Sequence, residues 1–599
     1  MAQRMKRSEV PVEQTWNLED LFSTPADWEE ARMELEDELP TVTQYEGRLH
    51  EGADVLYDCL EAQTALIEKA TLVATYANLR SSEDGTNAEN QANSAKVSST
   101  LAKVGAALSF VNSEILALPE GTIEKYLNEN DHLTDYQLVL QDLLEEKPYT
   151  LSAETEKVLA SLGQVTDAPY MIYQRSKSSD MDFKDFEHDG ETYANSFALF
   201  EDEYELSPQT AIRHKAYESF VETLKNYQNT FAATYSTEVT KQVTLAKVRG
   251  YENVTQMLLQ PQKVTEEMYH NQLDVIQKEL APHMQRYAKL KKRVLGLEKM
   301  SFVDLKAPLD PDFNPQSSYE EVCDTILHAL QVMGPEYTDA MKKAMTERWV
   351  DYADNVGKST GAFCASPYGS HPYILLTFTG NMRGGFILAH ELGHAGHFYF
   401  ANQNQRIFNT RPSTYFIEAP STLNELLLAD HLLENTDDPR MRRWIILQLL
   451  GTYYHNFVTH LLEGEYQRRV YSLAEQGIPL TAHTLSDQKG KALKNFWGDT
   501  VEIDEGAKLT WMRQPHYYMG LYPYTYSAGL TASTAVHQLF KEEGQPAIDR
   551  WMEVLKMGGT KTPLELMKYA GVDMSTPDAV KKAVAYVGSL VDELEKSYE

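Results

Sequence analysis

The chain has 599 residues, and its 55 Lys and Arg against 88 Asp and Glu give a formal net charge of −33. An apolar fraction of 42% and a charged fraction of 24% are ordinary for a globular protein and exclude wholesale disorder. Because phosphate binding requires a surplus of Lys and Arg, the charge argues against nucleic acid or an anionic membrane as a partner. The acidic surplus therefore indicates a solvated surface that favours solubility.

Cysteine usage and hydropathy point to the same environment. The three cysteines, Cys59, Cys323 and Cys364, are far apart, which excludes a disulfide scaffold and a cysteine-rich zinc module. The basic N-terminus is not followed by the apolar segment of a secretory signal. The most apolar stretches are also far shorter than the ~20 residues that a membrane span needs. We expect a cytoplasmic protein with no membrane partner.

The N-terminal third has mostly helical periodicity, and its character changes near residue 180. There, Asp189-Gly190 separates two short segments with strand character, which predicts a β-hairpin on an Asp-Gly turn. We place a domain boundary just after it. Residues 1–200 are predicted to form an N-terminal helical lobe with the hairpin near its end, and residues 201–599 a second domain.

The second domain begins with two predicted long helices. Ser207-Pro208 is typical of an N-cap followed by proline at the first helical position, and the helix can extend to about Val248. Thr265 starts the next helix, which Gly296 can end. Further along, two short segments at 361–365 and 373–378 have strand character and are joined by turn residues. The predicted class is therefore mostly α with a small β-sheet.

Residues 390–394 read His-Glu-Leu-Gly-His and follow that sheet directly. Residues four apart share a helix face, so His390 and His394 can bind one metal ion. Glu391 lies one position round from His390, where it can act as a general base toward water without ligating the metal. Chance predicts under about 0.1 such pentapeptide in this chain, which disfavours a helix with two unrelated histidines. Asn381 is the predicted N-cap of this helix.

A catalytic zinc site usually has three protein ligands, so a third ligand is needed. The position six residues beyond His394 holds Phe400, which excludes a third histidine there. His397 is one alternative, either as a ligand or as a packed helix residue. Glu418 and Glu425 lie on one helical stripe downstream, and one could ligate while the other accepts a proton from a ligand imidazole. Their spacing alone does not choose between them.

Two other features of this region carry alternatives. Glycines at 384, 385, 393 and 396 lower helix propensity and indicate either close backbone packing or close approach of substrate. Downstream, His516 is followed by Tyr522, Tyr524 and Tyr526. With 35 tyrosines in the chain, these rings can simply form a core or interface. The functional alternative is that His516 and one or two tyrosines stabilise the oxyanion of a tetrahedral intermediate.

Taken together, these motifs resemble a known family. The run from His390 to His397, followed by Glu418-Ala-Pro-Ser-x-x-x-Glu425, is similar to the oligoendopeptidase F branch of the thimet-oligopeptidase-like zinc metallopeptidases. The segments 248–253, 373–383 and 516–529 also match. The resemblance spans roughly residues 200–590, and the N-terminal lobe is similar to the family's lid-forming domain.

The resemblance implies a mostly helical, two-lobed molecule with a deep channel, one Zn²⁺ per chain at its floor, and endopeptidase activity on short peptides. By motif match, Glu418 corresponds to the third zinc ligand and Glu425 to the acid that binds a ligand imidazole. The tyrosine spacing after His516 departs from that of the thimet relatives. We favour Tyr526 as the oxyanion donor beside His516, with Tyr522 next, and expect Tyr522 and Tyr524 to contact substrate.

Zinc in this arrangement would activate water, and Glu391 would take its proton and pass it to the leaving amine. The strand at 373–378, predicted to be an edge strand with Tyr373 against the substrate, would bind the peptide backbone by β-augmentation. Two rival classes remain. A helical zinc carboxypeptidase shares the pentapeptide but must bind a free C-terminal carboxylate, and a non-catalytic peptide-binding or scaffold protein would not need Glu391. The sequence leaves the oligomeric state open.

Overall fold

The computed structural model describes residues 4–599, so the first three residues of the predicted N-terminal lobe lie outside the described residues. The fold is mostly helical with two small sheets, as the sequence predicts. Within the described residues, no single helix is long and apolar enough to span a membrane. One pair of helices, Ala88–Ala117 and Thr122–Glu129, meets the length and composition criterion only when joined across a 104° bend.

The first 200 residues are built around two long antiparallel helices. In chain order the helices are α1 (Pro25–Asp37), α2 (Pro40–Thr43), α3 (Ala53–Glu83), α4 (Ala88–Ala117), α5 (Thr122–Glu129), α6 (Gln137–Glu146), α7 (Ala153–Ser161), α8 (Gly163–Thr166), α9 (Ala168–Arg175) and α10 (Phe197–Leu199). α3 and α4 pack along each other, and their buried apolar side chains form one hydrophobic cluster with those of α5 and α6. Burial of this surface stabilises the region.

The hairpin near residue 190 is confirmed. Strands β1 (Phe186–His188) and β2 (Glu191–Tyr193) pair antiparallel, with the Phe186 and Tyr193 rings stacked at 5.2 Å. Asp189 and Gly190 have φ of 51° and 82°, the left-handed values that a tight two-residue turn requires. The domain boundary placed just beyond this hairpin stays a prediction.

The remaining helices form one large core. They are α11 (Thr210–Arg249), α12 (Val254–Leu259), α13 (Glu266–Val294), α14 (Tyr319–Ala329), α15 (Pro335–Thr346), α16 (Met382–Asn404), α17 (Ala419–Glu434), α18 (Pro439–Tyr453), α19 (His460–Glu475), α20 (Ala482–Trp497), α21 (Glu505–Lys508), α22 (Thr525–Glu543), α23 (Gln545–Met557), α24 (Pro563–Tyr569) and α25 (Asp578–Ser597). The predicted start of α13 is confirmed, because the Thr265 hydroxyl accepts from the Met268 amide at 3.2 Å. This bond satisfies one of the backbone N–H groups that have no partner within the first turn of the helix.

The predicted start of α11 is wrong by two residues, since Gln209 is the N-cap and the helix begins at Thr210. The Ser207 hydroxyl accepts from the amide only two residues on, and its carbonyl accepts from the Arg213 guanidinium at 2.7 Å. Ser207 is therefore used in a turn before the helix, a common alternative for serine. The end of α11 at Arg249, with Gly250 at φ 84°, agrees with the prediction.

The small sheet before α16 has three strands in the order β3 (Val350–Asp351), β5 (Tyr373–Leu375), β4 (Phe363–Ala365). β5 pairs parallel with β3 and antiparallel with β4, so it is the central strand. The prediction that this segment is an edge strand is wrong, because both of its edges are already hydrogen-bonded. The edge strand beside α16 is β4.

Tyr373 is consequently a core residue. Its side chain has no exposed surface, and its ring meets Trp16 edge-on at 6.4 Å and His371 at 4.3 Å. It belongs to a hydrophobic cluster that joins the sheet to residues of α1 and α3. A ring enclosed on all sides cannot touch substrate, so the assignment of Tyr373 to substrate binding is corrected to packing.

The glycines of α16 are explained by close packing. A Cβ on Gly393 would lie 2.4 Å from the Ser421 Cα and 2.5 Å from the Pro420 oxygen, both backbone atoms of α17. A Cβ on Gly384 would meet Phe378, and one on Gly396 would meet Tyr337, each at 2.7 Å. Real Cβ contacts do not come this close, so at these positions α16 approaches its neighbours nearer than any other residue allows.

Gly393→Ala is expected to destabilise the zinc-depleted protein by about 1–3 kcal/mol or more, because backbone atoms of α17 must move to admit the methyl group. Gly451→Ala in the exposed face of α18 is the matched control, since no atom lies within 4 Å of its Cβ position. That variant should be neutral or stabilised by up to about 1 kcal/mol. Urea unfolding of both variants measures the difference. Equal stabilities would contradict the close-packing explanation.

Candidate functional site

Two histidines of α16 form one side of the site. The helix begins as predicted at the N-cap Asn381, whose side chain accepts from the Gly384 amide at 3.1 Å. His390 and His394 lie one turn apart on the same face, with their ring centroids 5.1 Å apart. Most of the surrounding turn is buried, so these polar rings need partners within the protein or a ligand.

Glu418, the residue before α17, supplies the third donor. Its Oε2 lies 3.4 Å from the Nε2 of His390 and 3.4 Å from the Nε2 of His394. The three donor atoms all lie within 4.8 Å of one another. The Ser421 hydroxyl donates to Glu418 Oε2 at 3.1 Å, which holds the carboxylate in place. The structure thus brings together the three residues predicted as metal ligands.

The donor set fits zinc. Two imidazole nitrogens and one carboxylate oxygen are ligands that catalytic zinc sites use, with a fourth position left open. Metal–ligand distances of about 2.0–2.1 Å in tetrahedral geometry separate neighbouring donor atoms by about 3.3 Å. Both 3.4 Å separations agree with that value. One zinc ion would therefore be held by His390, His394 and Glu418.

Glu425, two turns further along α17, binds the other side of His390. Its Oε1 accepts from His390 Nδ1 at 2.7 Å, and its Oε2 accepts from the Thr452 hydroxyl at 3.0 Å. This bond assigns a proton to Nδ1, so Nε2 is the nitrogen that a metal ion would use. His394 Nδ1, in contrast, has no hydrogen-bond partner among the described residues. His390 is the imidazole whose orientation a carboxylate fixes.

The electrostatics of the site favour a cation. Burial opposes charge on His390, yet its hydrogen bonds to Glu418 and Glu425 outweigh burial and raise the pKa of His390 well above its ordinary value. Burial likewise opposes charge on Glu418, but the facing His394 and His390 hold the pKa of that carboxyl well below its usual range. The site therefore holds negative charge directed at the two Nε2 atoms.

Glu391 lies beside the edge strand β4. Its side chain is buried, and burial raises the pKa of its carboxyl. Burial, together with the nearby Glu391 carboxylate, raises the pKa of Cys364 in β4 to about 12. The carboxylate predicted as general base thus lies next to the outer edge of β4, at which an extended peptide can pair.

His397 lies outside the ligand triad. It is fully buried, with its ring stacked on Phe398 at 5.1 Å and edge-on to Phe416 at 5.8 Å. Neither of its ring nitrogens has a hydrogen-bond partner among the described residues, and burial lowers its pKa to about 3. Of the two predicted alternatives, the structure places His397 as a packed helix residue.

The side chains of His516, Tyr522 and Tyr526 form a group near Glu418. The His516 ring centroid is 5.1 Å from that of Tyr522 and 5.8 Å from that of Tyr526, and the Tyr526 hydroxyl donates to the Tyr522 hydroxyl at 3.4 Å. One turn after Tyr526, a Cβ on Gly529 would lie 2.7 Å from the Glu418 Cβ. The half-buried rings are therefore adjacent to the metal-binding triad.

Tyr524 is not part of this group. It is 1% exposed, its ring meets Tyr269 edge-on at 4.8 Å, and its hydroxyl donates to Gln262 Oε1 at 2.6 Å. A buried, hydrogen-bonded tyrosine has no face left for substrate, so its predicted role in substrate binding is wrong. Pro523 and the start of α22 turn Tyr524 inward, while Tyr526 in the first turn stays at the site.

A second cluster of ionisable residues, which the sequence did not predict, surrounds His516. His460 and Glu463 of α19 lie near His516, and their donor atoms are all within 4.8 Å of one another. His455 joins them, with its Nε2 3.0 Å from His460 Nε2. The available signal was the placement of His460 and Glu463 at i and i+3, which share a helix face, whereas His455 reaches them through the π-helical segment Tyr454–Thr459.

The chain matches known proteins along most of its length. The sequence model described as "Peptidase family M3" matches residues 204–586, and the one described as "Oligopeptidase F" matches residues 114–183. The chain is similar to the oligopeptidase PepF of Bacillus subtilis, with 31% identity over 98% of this chain and 88% of that one. It is 28% identical to the oligoendopeptidase F homolog of Borreliella burgdorferi, covering 99% and 100% of the two chains.

Two solved structures are similar to this chain along nearly its whole length. A Chlamydophila abortus crystal structure superimposes with a TM-score of 0.90 at 26% identity, covering 99% of this chain and 100% of the other. The crystal structure of oligoendopeptidase-F from Enterococcus faecium superimposes with a TM-score of 0.75 at 28% identity, covering 96% and 99%. These similarities extend over the whole chain.

The two carboxylates of α17 should differ in their effect on metal binding. Glu418→Ala removes a donor of the triad and should weaken zinc binding by more than the ~10–100-fold expected for Glu425→Ala, which removes only the hydrogen bond to His390. Equilibrium dialysis against a zinc buffer gives both affinities. The reverse ranking would make Glu425 the ligand. Thermal unfolding of the zinc-free variants controls for loss of fold.

Proposed function

Because the chain belongs to peptidase family M3, we propose that it is a zinc-dependent oligoendopeptidase that hydrolyses internal bonds of short, unstructured peptides. The observation that carries this proposal is the His390, His394 and Glu418 triad with Glu391 beside it. Full-length similarity to proteins named oligoendopeptidase F supports the choice of short peptides as the substrate class.

One zinc ion per chain fits the triad. When bound, such an ion polarises the scissile carbonyl and lowers the pKa of water toward ~7. Glu425 holds the proton of His390 at Nδ1 and so presents Nε2 as a lone-pair donor. The Ser421 hydroxyl, which donates to Glu418, limits rotation of the third ligand.

Glu391 acts as the general base. Its position one residue after His390 brings the carboxylate near the attacking water, while the triad occupies the metal-binding positions. It takes the proton of the attacking water and then donates it to the leaving amine, so that one carboxyl serves both halves of the reaction. Burial beside β4 excludes bulk water from this carboxyl.

His516 and Tyr526 are placed to stabilise the oxyanion that develops on the scissile carbonyl. Their ring centroids are 5.8 Å apart, Gly529 one turn after Tyr526 packs against Glu418, and the Tyr522 hydroxyl accepts from that of Tyr526. A hydrogen-bond donor of this kind contributes about 10²–10³-fold to turnover. β4, and not the central β5, supplies the free backbone edge for an extended peptide.

A helical zinc carboxypeptidase is the second candidate, and one observation favours it. Arg411 is exposed, lies over the Phe398 ring at 4.8 Å, and forms no ion pair with any described residue. It is close enough to Cys364 of β4 to lower the pKa of that thiol, against the larger effect of burial. A carboxypeptidase requires such a cation for the free C-terminal carboxylate of its substrate.

Location and partners complete the proposal. Cys59, Cys323 and Cys364 are free thiols, which suits a reducing, cytoplasmic compartment. Peptides are the proposed partners, and the charge of −33 argues against nucleic acid and anionic membranes.

Glu391→Gln is expected to keep the fold and the zinc while lowering kcat by ~10²–10⁴-fold, because the amide cannot take a proton from water. Zinc content by atomic absorption and hydrolysis of a fluorogenic peptide are measured on the same sample. Glu434→Gln, the same change at an exposed position of α17, is the control and should leave kcat unaltered. Near-normal turnover of Glu391→Gln would show that Glu391 is not the base.

A short peptide blocked at both ends should be cut at an internal bond, whereas the same sequence within a folded protein should survive. An extended strand advances ~3.3 Å per residue and is slender enough for an enclosed channel, but a folded domain is not. Mass spectrometry of the products identifies the bonds cut.

Two variations separate the alternatives. If only the free-carboxylate peptide is cut, and Arg411→Gln abolishes that cleavage, the carboxypeptidase assignment holds instead. If the native folded protein is cut as fast as its denatured form, the enclosed channel is contradicted while the zinc mechanism stands. Arg411→Lys, which keeps the charge, is the matched control for Arg411→Gln.

A further inference from the structure

The cluster of His460, Glu463 and His516 is held by hydrogen bonds. Its closest donor pair, His460 Nδ1 and Glu463 Oε2, is 2.7 Å apart. Donors around a tetrahedral zinc ion are separated by about 3.3 Å, so this pair is too close to be two ligands of one ion and has the length of a charge-assisted hydrogen bond. The ligand triad, with its 3.4 Å separations, provides the contrast within the same molecule.

Glu463 is an ionised carboxylate within the core. Burial opposes its charge, but His460, Lys489 and Gln514 outweigh burial and lower the pKa of Glu463 to about 2. The Gln514 side-chain amide donates to both carboxylate oxygens at 3.0 Å. Because an ionised carboxylate only accepts hydrogen bonds, every group around it is forced to present a donor.

This requirement fixes the position of one histidine proton. His460 must carry a proton on Nδ1, where it meets Glu463. His460 Nε2 lies 3.0 Å from His455 Nε2, so one of these two nitrogens donates to the other. Burial, with the neighbouring His460, lowers the pKa of His455 to about 4. The contacts from His455 through His460 to Glu463 therefore hold the His460 ring at both of its nitrogens.

The two hydrogen-bond partners of Glu463, His460 and Gln514, each lie next to a proposed oxyanion donor. The His460 ring stacks on the Tyr526 ring at 4.2 Å with an interplanar angle of 15°. Gln514 immediately precedes the turn Pro515–Tyr518 that carries His516. The carboxylate thus restrains Tyr526 through His460 and restrains His516 through Gln514.

We propose that Glu463 and His460 are positioning residues that hold Tyr526 and His516 in the geometry required to stabilise the oxyanion. The proposal rests on the proposed function, since it concerns donors to a tetrahedral intermediate. A displacement of about 1 Å in such donors costs on the order of 10²-fold in rate. Removing the restraint should therefore lower turnover without changing metal binding or ground-state binding of the peptide.

Glu463→Gln in the zinc-loaded, full-length enzyme is the primary test. Both carboxylate oxygens face donors, so the amide NH2 would oppose the Gln514 or His460 N–H, and kcat should fall about 10–100-fold while KM and zinc content stay within about twofold. Affinity for a phosphinic peptide, which mimics the tetrahedral intermediate, should fall with kcat. Unchanged kcat and phosphinate affinity in a folded variant would overturn the proposal.

A double-mutant cycle separates positioning from general loss of structure. Gln514→Met should lower kcat in the wild-type background, but should cost little more once His516→Ala has removed the group that it positions. Additive losses would show that Gln514 acts elsewhere and would overturn the proposal that it positions His516. The same logic applies to Glu463→Gln combined with Tyr526→Phe.

A second buried carboxylate–histidine pair provides the control. Asp430 Oδ2 lies 2.5 Å from His537 Nε2, on the later turns of the same α17 and α22 that carry the site. Asp430→Asn should lower thermal stability with kcat unaltered, which would show that loss of such a pair does not in itself slow the reaction.

Two zinc ions per chain, reduced to one in Glu463→Gln, would overturn the proposal in favour of a metal at the cluster. A wild-type protein with no zinc-dependent peptidase activity would contradict the proposed function, independently of these variants.

Discussion

The geometry of the site depends on how closely the backbones of α16 and α17 approach at Gly393. A methyl group there would overlap the Ser421 Cα and the Pro420 oxygen. From the other side, Gly529 of α22 makes an equally close contact with Glu418. The first turn of α17 is thus clamped between two glycines, and Glu418 is its leading residue. A larger side chain at either glycine would push the Glu418 carboxylate out of position.

The same contact aligns the second carboxylate. Because α17 is held at a fixed distance from α16, the Glu425 side chain reaches His390 Nδ1 from behind while Glu418 approaches Nε2 from the front. One imidazole therefore has both nitrogens assigned by residues of a single neighbouring helix. The close approach at Gly393 also explains why a glycine is tolerated there despite its cost in helix propensity, since tertiary packing outweighs a local preference of about 1 kcal/mol per residue.

Local signals in the sequence were sufficient for much of the fold. The N-caps Asn381 and Thr265, the Asp189-Gly190 turn and the long helical periods all depend on residues within a few positions of one another, and the structure agrees with each. The strand order could not be obtained in this way. β3 has only two residues, too few for a periodic signal, yet its pairing makes β5 central and removes it from the substrate.

In the site, too, local spacing predicts some features, and others depend on tertiary contacts. The i, i+4 spacing predicts that His390 and His394 share a face, because that follows from helix geometry alone. The choice between Glu418 and Glu425 required tertiary distances or a family resemblance, since both lie on one stripe. Tyr524 and Tyr526 differ by two residues and cannot be told apart by composition. Their environments differ because one precedes α22 and enters the core, while the other lies in its first turn.

Two buried carboxylates each fix a proton on a histidine by the same kind of hydrogen bond. Glu425 fixes a proton on His390 Nδ1, and Glu463 fixes a proton on His460 Nδ1, each at 2.7 Å. The outcomes differ only in what the remaining nitrogen meets. His390 Nε2 lies beside Glu418 and suits a metal, whereas His460 Nε2 is occupied by His455, which leaves the His460 ring face to pack against Tyr526. In the proposed reaction, fixing both histidines before substrate arrives reduces the reorganisation that is needed, which gives a reason for keeping these two carboxylates in the interior.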